Sequence, residues 1–344
     1  MTPSTIALAL ALAAALSACG GAGGGSMASA PIAPPPAAST ADLAPTVGDF
    51  YSYDSTNTLN IEQAGSTPET QQWFYTRAVN KVDGGGAWVD RQFGEDAAVP
   101  STDYAYLADG GLTTMASGGC RGVYTPAFYA SRKNMMVGTT WTSDFNRVDT
   151  GPCAASVSGK FSATAAALET ITVRAGTFNT VKIVSTSTGT YSNGLTTSEE
   201  ITEWRDVVTH RIIKYSNRSN QVSDTGAKAT LTFSGELAGF SSAKQARKNL
   251  NIERFAGQWA GAYSGTDSGN CQGRVSRDGK LDVDCGNGEF SVHGDIDASG
   301  QGTFYLTVKG VRGAPFSSSF ESPFAIRGVW SAGAASGTWT LNHQ

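Results

Sequence analysis

Few residues in this 344-residue chain have the type and spacing that chemistry requires. There are three histidines, His210, His293 and His343. None stands in a metal-ligand spacing, and no C-x-x-C or H-E-x-x-H occurs, which argues against zinc. The folded region also lacks a G-x-S-x-G elbow, a Walker loop and a dinucleotide glycine fingerprint. His210 sits beside Arg211 at a strand start, His293 falls on the polar side of a strand, and His343 is next to the C-terminal residue. Each reads as a surface residue rather than a general base. Asp282-x-Asp284 and Asp295-x-Asp297 place carboxylates two apart, on one strand face or at a turn. That is an incomplete calcium pattern, and hairpin flanks carry such residues without metal. The remaining candidates are alternate aromatic residues: Tyr51 and Tyr53, Trp73 and Tyr75, Tyr104 and Tyr106. This spacing lines one face of a strand. It suits a platform for a sugar or peptide, or simple packing in a barrel wall, and packing is the expectation. No ligand-binding residue is assigned, and no cofactor or metal is expected.

The elements that carry these residues are strands. Hydrophobic residues make up 40% of the chain and charged residues only 16%, with 41 glycines. Low charge with many small, hydroxyl and aromatic residues favours strands and turns over surface helices. The formal net charge is −4, with no basic face for nucleic acid. The length admits two domains.

The N-terminus supplies an address. Residues 6–18, "IALALALAAALSA", have the length of a signal-peptide core and are too short for a permanent transmembrane helix. Leu16-Ser17-Ala18-Cys19 closes that run and resembles a bacterial lipobox. The resemblance implies cleavage before Cys19, a diacylglycerol on its thiol, and acylation, for example with palmitate, of the new amine. Two or more chains give stable anchoring. Gly20 stands where inner-membrane lipoproteins often carry Asp, so the resemblance places the protein at the outer membrane of a bacterial envelope. Residues 1–18 are then a signal peptide. Residues 19–45 are a Gly- and Pro-rich tether with a reach of roughly 30 Å.

Four cysteines remain, Cys120, Cys153, Cys271 and Cys285, and outside the cytoplasm they are expected to be oxidised. Four allow three pairings. A two-domain division puts one pair in each domain, as Cys120–Cys153 and Cys271–Cys285.

Residues 46–240 read as one β-rich domain. "ATLTFSGEL" alternates Ala229, Leu231 and Phe233 with polar residues, the period of a half-buried strand. "TVKIVSTSTGTYSNGLTTSEEITEWR" reads as a long hairpin turning at Asn193-Gly194, and Ala175-Gly176-Thr177-Phe178 as a tight corner before it. This A-G-T-F-x-x-x-K/R-I/V segment resembles one in bacterial envelope proteins with curved, half-open barrels akin to lipoprotein carriers. That likeness implies a concave sheet able to hold an apolar group, although Glu199, Glu200 and Glu203 make the hairpin polar. Residues 241–254, with Lys244, Arg247, Lys248 and Arg254, read as a solvated connector containing a short helix or an exposed joint.

Residues 255–344 show short strands every 10 to 12 positions, with turns at Asp278-Gly279 and Ser299-Gly300. Gly257-x-Trp259 and Gly337-x-Trp339 near the two ends suggest that first and last strands pair, giving a small closed or nearly closed barrel. The segment resembles the Gly- and Trp-rich barrels of surface lipoproteins of the transferrin-binding-protein type.

The fold class is therefore all-β, with two antiparallel domains. The functional expectation is a membrane-anchored, non-catalytic envelope lipoprotein that binds a small ligand or an envelope protein. A structural or assembly lipoprotein without a soluble ligand is the alternative, and an extracytoplasmic hydrolase ranks below both.

Overall fold

In the computed structural model, the described residues are 45–344, apart from 64, 96–98, 133, 134 and 333. The expected signal peptide, Cys19 and nearly all of the tether lie outside them.

Twelve strands form the first sheet. They are β1 (Phe50–Ile61), β2 (Glu69–Val82), β3 (Trp88–Gly94), β4 (Thr102–Tyr106), β5 (Leu112–Ser117) and β6 (Cys120–Phe128). The series continues with β7 (Thr140–Thr150), β8 (Ala155–Val173), β9 (Gly176–Tyr191), β10 (Thr196–Asp206), β11 (Ile212–Val222) and β12 (Lys228–Ser241). Each strand pairs antiparallel with its neighbour in sequence, and β1 pairs with β12 from Phe50↔Ser241 to Ile61↔Ala229. The sheet expected to curve like a half-barrel thus closes on itself. Closure leaves no free edge.

Local sequence explains the meander. Asn193 and Gly194 turn the β9–β10 hairpin, with Gly194 at φ +84°, where a side chain would be strained. Strand β7 alternates buried and exposed residues along its whole length. Strand β12 buries Leu231 and Phe233 and exposes Thr232 and Ser234. Twelve strands enclose more room than apolar side chains alone fill, whereas eight are just filled. The larger barrel accordingly buries polar groups as well, among them Arg147, Glu199, Glu203, Asn217 and Ser219.

The second barrel has eight strands: β13 (Gly257–Gly265), β14 (Gly269–Val275), β15 (Lys280–Cys285), β16 (Phe290–Ile296), β17 (Gln301–Val308), β18 (Val311–Ser322), β19 (Ala325–Ala332) and β20 (Ala335–His343). It is closed by β13 pairing with β20. Gly261 and Gly337 sit on that seam. A Cβ on Gly261 would run into Thr340 O, and one on Gly337 into Ser264 O. Trp259, Phe304, Leu281, Val283, Ile326 and Leu341 fill the interior.

The joint differs from its expected form. Between β12 and β13 the described structure holds a single 3₁₀ turn, Ile252–Phe255, and no α-helix. Arg254 is not solvated. It is 4% exposed, donates to Ala298 O at 2.8 Å, and lies 4.0 Å over the Phe255 ring and 5.2 Å over Phe50. Arg247 is likewise laid over Phe178, 4.5 Å from the ring centroid. The charge of Arg254 thus serves the packing of the joint, whereas Arg247 and Lys248 remain exposed as expected.

Candidate functional site

The aromatic pairs of β1, β2 and β4 come together inside the larger barrel. Cross-strand partners share a face of a sheet. Tyr53 pairs with Tyr75 and Tyr51 with Arg77 across β1 and β2, while Asp90 pairs with Tyr104 and Trp88 with Tyr106 across β3 and β4. The resulting wall is stacked: Trp73 on Tyr75 at 4.7 Å, Tyr75 on Tyr53 at 5.0 Å, and Trp88 on Tyr106 at 5.0 Å between ring centroids. Packing was the expectation for these residues, and they do pack. Tyr51, Tyr53, Tyr104 and Tyr106 also line a cavity of about 150 Å³. Its other lining residues come from β2, β3, β5 and β6, from the loops after β4 and β6, and, on a different part of the sheet, from the facing ends of β10 and β11 with the turn between them, so it lies within the lumen.

That turn is held by Asp206. Its Oδ2 accepts from Thr209 N and Thr209 Oγ1, both at 2.8 Å, from Val208 N at 3.3 Å and from Gln245 Nε2 at 2.8 Å. The chain then passes through His210 at φ +57°, a left-handed backbone unusual for a residue with a Cβ, and delivers Arg211 to the cavity. His210 was expected at the surface but lines the cavity instead. Burial, reinforced by the charge of Arg205, pulls its imidazole down to about 4, so it is neutral near pH 7.

Two arginines meet at one carboxylate. Asp90 is 1% exposed, and its Oδ2 accepts from Arg211 Nη1 at 2.7 Å and from Arg77 Nη2 at 3.4 Å. Arg77 Nη2 also contacts Tyr106 OH at 2.7 Å, and its guanidinium lies 4.3 Å over Tyr104. Arg211 lies 5.3 Å over Tyr51. Arg205, the third arginine at the cavity, is matched by Glu203, with Nη2 to Oε1 at 3.0 Å. Burial pushes the phenols of Tyr53 and Tyr104 up, so they stay neutral.

Several polar atoms here are buried without a partner: Arg77 Nε, Arg211 Nη2, Trp88 Nε1 and His210 Nδ1, all on lining residues, and Asp90 Oδ1. A buried polar group left unpaired costs about 1–3 kcal/mol. All but Asp90 Oδ1 belong to residues that line this one cavity.

Two other hollows are weaker candidates. An open trough of about 870 Å³ runs over β1, β10, β11 and β12, but its charges are already matched within the protein. Arg174 pairs with Asp54 at 2.7 Å, Lys214 with Glu236 at 2.6 Å, and Trp204 Nε1 with Glu169 Oε2 at 2.6 Å. A hollow of about 180 Å³ in the smaller barrel is walled mainly by aromatic residues and the Cys271–Cys285 bridge, and has no unpartnered polar atom to orient a guest.

The other sequence candidates are dispersed. Cys120 is bonded to Cys153 and Cys271 to Cys285, with Cα–Cα distances of 5.7 and 4.1 Å. Asp282 Oδ1 lies 3.0 Å from His293 Nδ1. Asp297 accepts from Ser299 N and Gln301 N in its own turn. His343, expected at the surface, is 4% exposed. Arg77, Trp88, Asp90 and Arg211 were not singled out from the sequence. Arg77 continues the Trp73-x-Tyr75-x-Arg77 alternation, and a charge at the buried parity of a strand was the available signal.

No family model matches the chain, and no curated protein matches it. Solved structures similar to it include two lipoprotein-like proteins and a transferrin-binding protein. The hypothetical lipoprotein YmcC from Escherichia coli has a TM-score of 0.27 and 14% identity, covering 52% of this chain and 85% of that one. A protein with a YmcC-like fold from Bacteroides fragilis has a TM-score of 0.34 and 13% identity, covering 58% and 98%. Transferrin Binding Protein B from Haemophilus parasuis has a TM-score of 0.21 and 10% identity, covering 87% and 77%. Scores this low carry no argument about the present chain, whose own residues must supply it.

Proposed function

We infer that this chain is a non-catalytic bacterial envelope lipoprotein, anchored at the outer membrane through Cys19, whose larger barrel binds a small molecule in its lumen. The lipobox-like Leu16–Cys19 tetrapeptide supports the anchor. Four buried polar atoms left without hydrogen-bond partners, all on residues that line one aromatic cavity, carry the binding reading. The outer surface favours a guest inside over a partner docked outside. Among the described residues, the exposed large hydrophobics are mostly valines and include no aromatic residue, whereas docking patches are enriched in aromatic anchors.

The experiment is a thermal-shift screen of small molecules against the full chain and a Leu112→Trp variant, which adds bulk at the cavity wall. Compounds that raise the Tm of the wild type and not of the variant support the reading. If nothing shifts the wild type and the variant is the more stable protein, the lumen is a packing defect and the binding reading fails. Fatty-acid labelling that persists in Cys19→Ala would remove the anchor.

A further inference from the structure

We propose that the guest of the larger barrel is a small monoanion, a carboxylate carried on a flat apolar body of about one aromatic ring. This rests on the ligand-binding reading and adds the chemistry of the guest.

The charge count comes first. Asp90 is the one carboxylate that Arg77 and Arg211 share. Arg205 is neutralised by Glu203, and Asp206 is committed to the donors of its own turn and to Gln245. Within the Arg77–Asp90–Arg211 cluster two guanidinium groups face one carboxylate, which leaves that cluster one positive charge in excess, while Asp206 keeps its own negative charge at the neighbouring turn. A buried charge without a counterion is strongly unfavourable. A cationic guest would add to the excess and a neutral one would leave it. A single negative charge balances it.

The unsatisfied atoms agree in sign. Arg77 Nε, Arg211 Nη2 and Trp88 Nε1 are all N–H donors with no capacity to accept. A carboxylate only accepts, and guanidinium groups bind it through charge-assisted hydrogen bonds. His210, neutral here, offers a ring nitrogen that serves as donor or acceptor according to tautomer. The Asp90 Oδ1 acceptor belongs to a residue that does not line the cavity.

The walls set the rest of the guest. Tyr51, Tyr53, Trp88 and Tyr106 present ring surfaces, and Leu112 and Met115 close the apolar side. A cavity of about 150 Å³ accommodates a benzene-sized ring.

The test is titration calorimetry of the full chain with benzoate, benzamide, benzylammonium and inorganic phosphate. Benzoate is expected to bind at least tenfold more tightly than benzamide, with no binding of benzylammonium. Trp88→Phe, which keeps the ring and deletes the N–H, is expected to weaken benzoate severalfold, and benzamide by less because its carbonyl is an uncharged acceptor. Equal affinities for benzoate and benzamide would overturn the anion proposal while leaving the ligand-binding reading intact. Phosphate binding as tight as benzoate would overturn the apolar body. If no probe binds, and Leu112→Trp is the more stable protein, both this proposal and the binding reading fall.

Discussion

The ring of Phe93, on β3 of the larger barrel, lies 4.0 Å from the imidazole of His343, on the last strand of the smaller one. Both are nearly inaccessible to solvent. Phe324 meets Phe93 edge-on at 5.8 Å, and Trp259 stands 4.8 Å from His343. His343 Nε2 also reaches Ala256 O at 3.1 Å, in the short segment that joins the barrels. The clasp ties the outer wall of one barrel to the closing strand of the other. Phe93→Ala is expected to lower stability by about 3–5 kcal/mol and to split urea unfolding into two steps, read by tryptophan fluorescence. A single unshifted transition would show that the barrels are not coupled there.

Acid should loosen this clasp. Burial pulls His343 down to about 4 from the ordinary 6.5, against its hydrogen bonds to Ala256 O and Gln344 O. As pH falls below 6.5 the unfolded chain takes up a proton that the folded one refuses. The full stability is therefore present above that pH and is lost progressively towards pH 4, by about 3 kcal/mol. His343→Gln should flatten this part of the stability profile, measured as urea midpoints between pH 7.5 and 4.5.

Glu199 works in the opposite direction. Burial lifts its carboxyl to about 7 from 4.5, with the Arg147 charge opposing. Between those values the unfolded chain releases a proton that the folded barrel keeps, so stability falls as pH rises through this window. Glu199→Gln is expected to be more stable than wild type at pH 8, by about 2–3 kcal/mol, and equal to it at pH 4.

Asp90 is the counterion for two guanidinium groups. Asp90→Asn keeps the shape and removes the charge, and is expected to cost about 3–5 kcal/mol. Adding Arg211→Met to it should restore part of the loss, because one of the two stranded charges goes with it. The check is a double-mutant cycle by chemical denaturation.

The Cys271–Cys285 bridge closes a short loop, with a sequence separation of 14, between paired strands β14 and β15. Replacing both cysteines with serine is expected to cost about 3 kcal/mol. The loss should appear in the smaller barrel, measured by hydrogen exchange of β14 and β15, with the larger barrel unaffected.

Turn chemistry and alternation made most of the fold readable. Asn193-Gly194, Asp278-Gly279 and Ser299-Gly300 all fall between consecutive strands, because positive φ is a local requirement with few residues able to meet it. The pairing of β13 with the C-terminal strand was legible for a related reason, with Gly337 of the second Gly-x-Trp set standing opposite Gly265 on the seam. Only glycine tolerates such a close backbone approach. The cavity was half legible. Its tyrosines announced a buried strand face, but whether that face looks into a filled or a hollow barrel depends on strand number, which no local pattern states. Arg211 was hidden because it reaches the lumen from a turn, where alternation gives no parity. His343 and Arg254 were misplaced for one shared reason. Their burial comes from one barrel leaning on the other, a contact between segments far apart in the chain.

The β1–β12 seam has one last consequence. The partner for the opening strand is the twelfth, so synthesis must run through the entire ring before the gap can zip shut. Until then the leading strand displays bare amide and carbonyl groups to any neighbour. A ribbon in that condition invites stray pairing, so an escort that shields it in transit would matter more for this molecule than for a helical one of equal length.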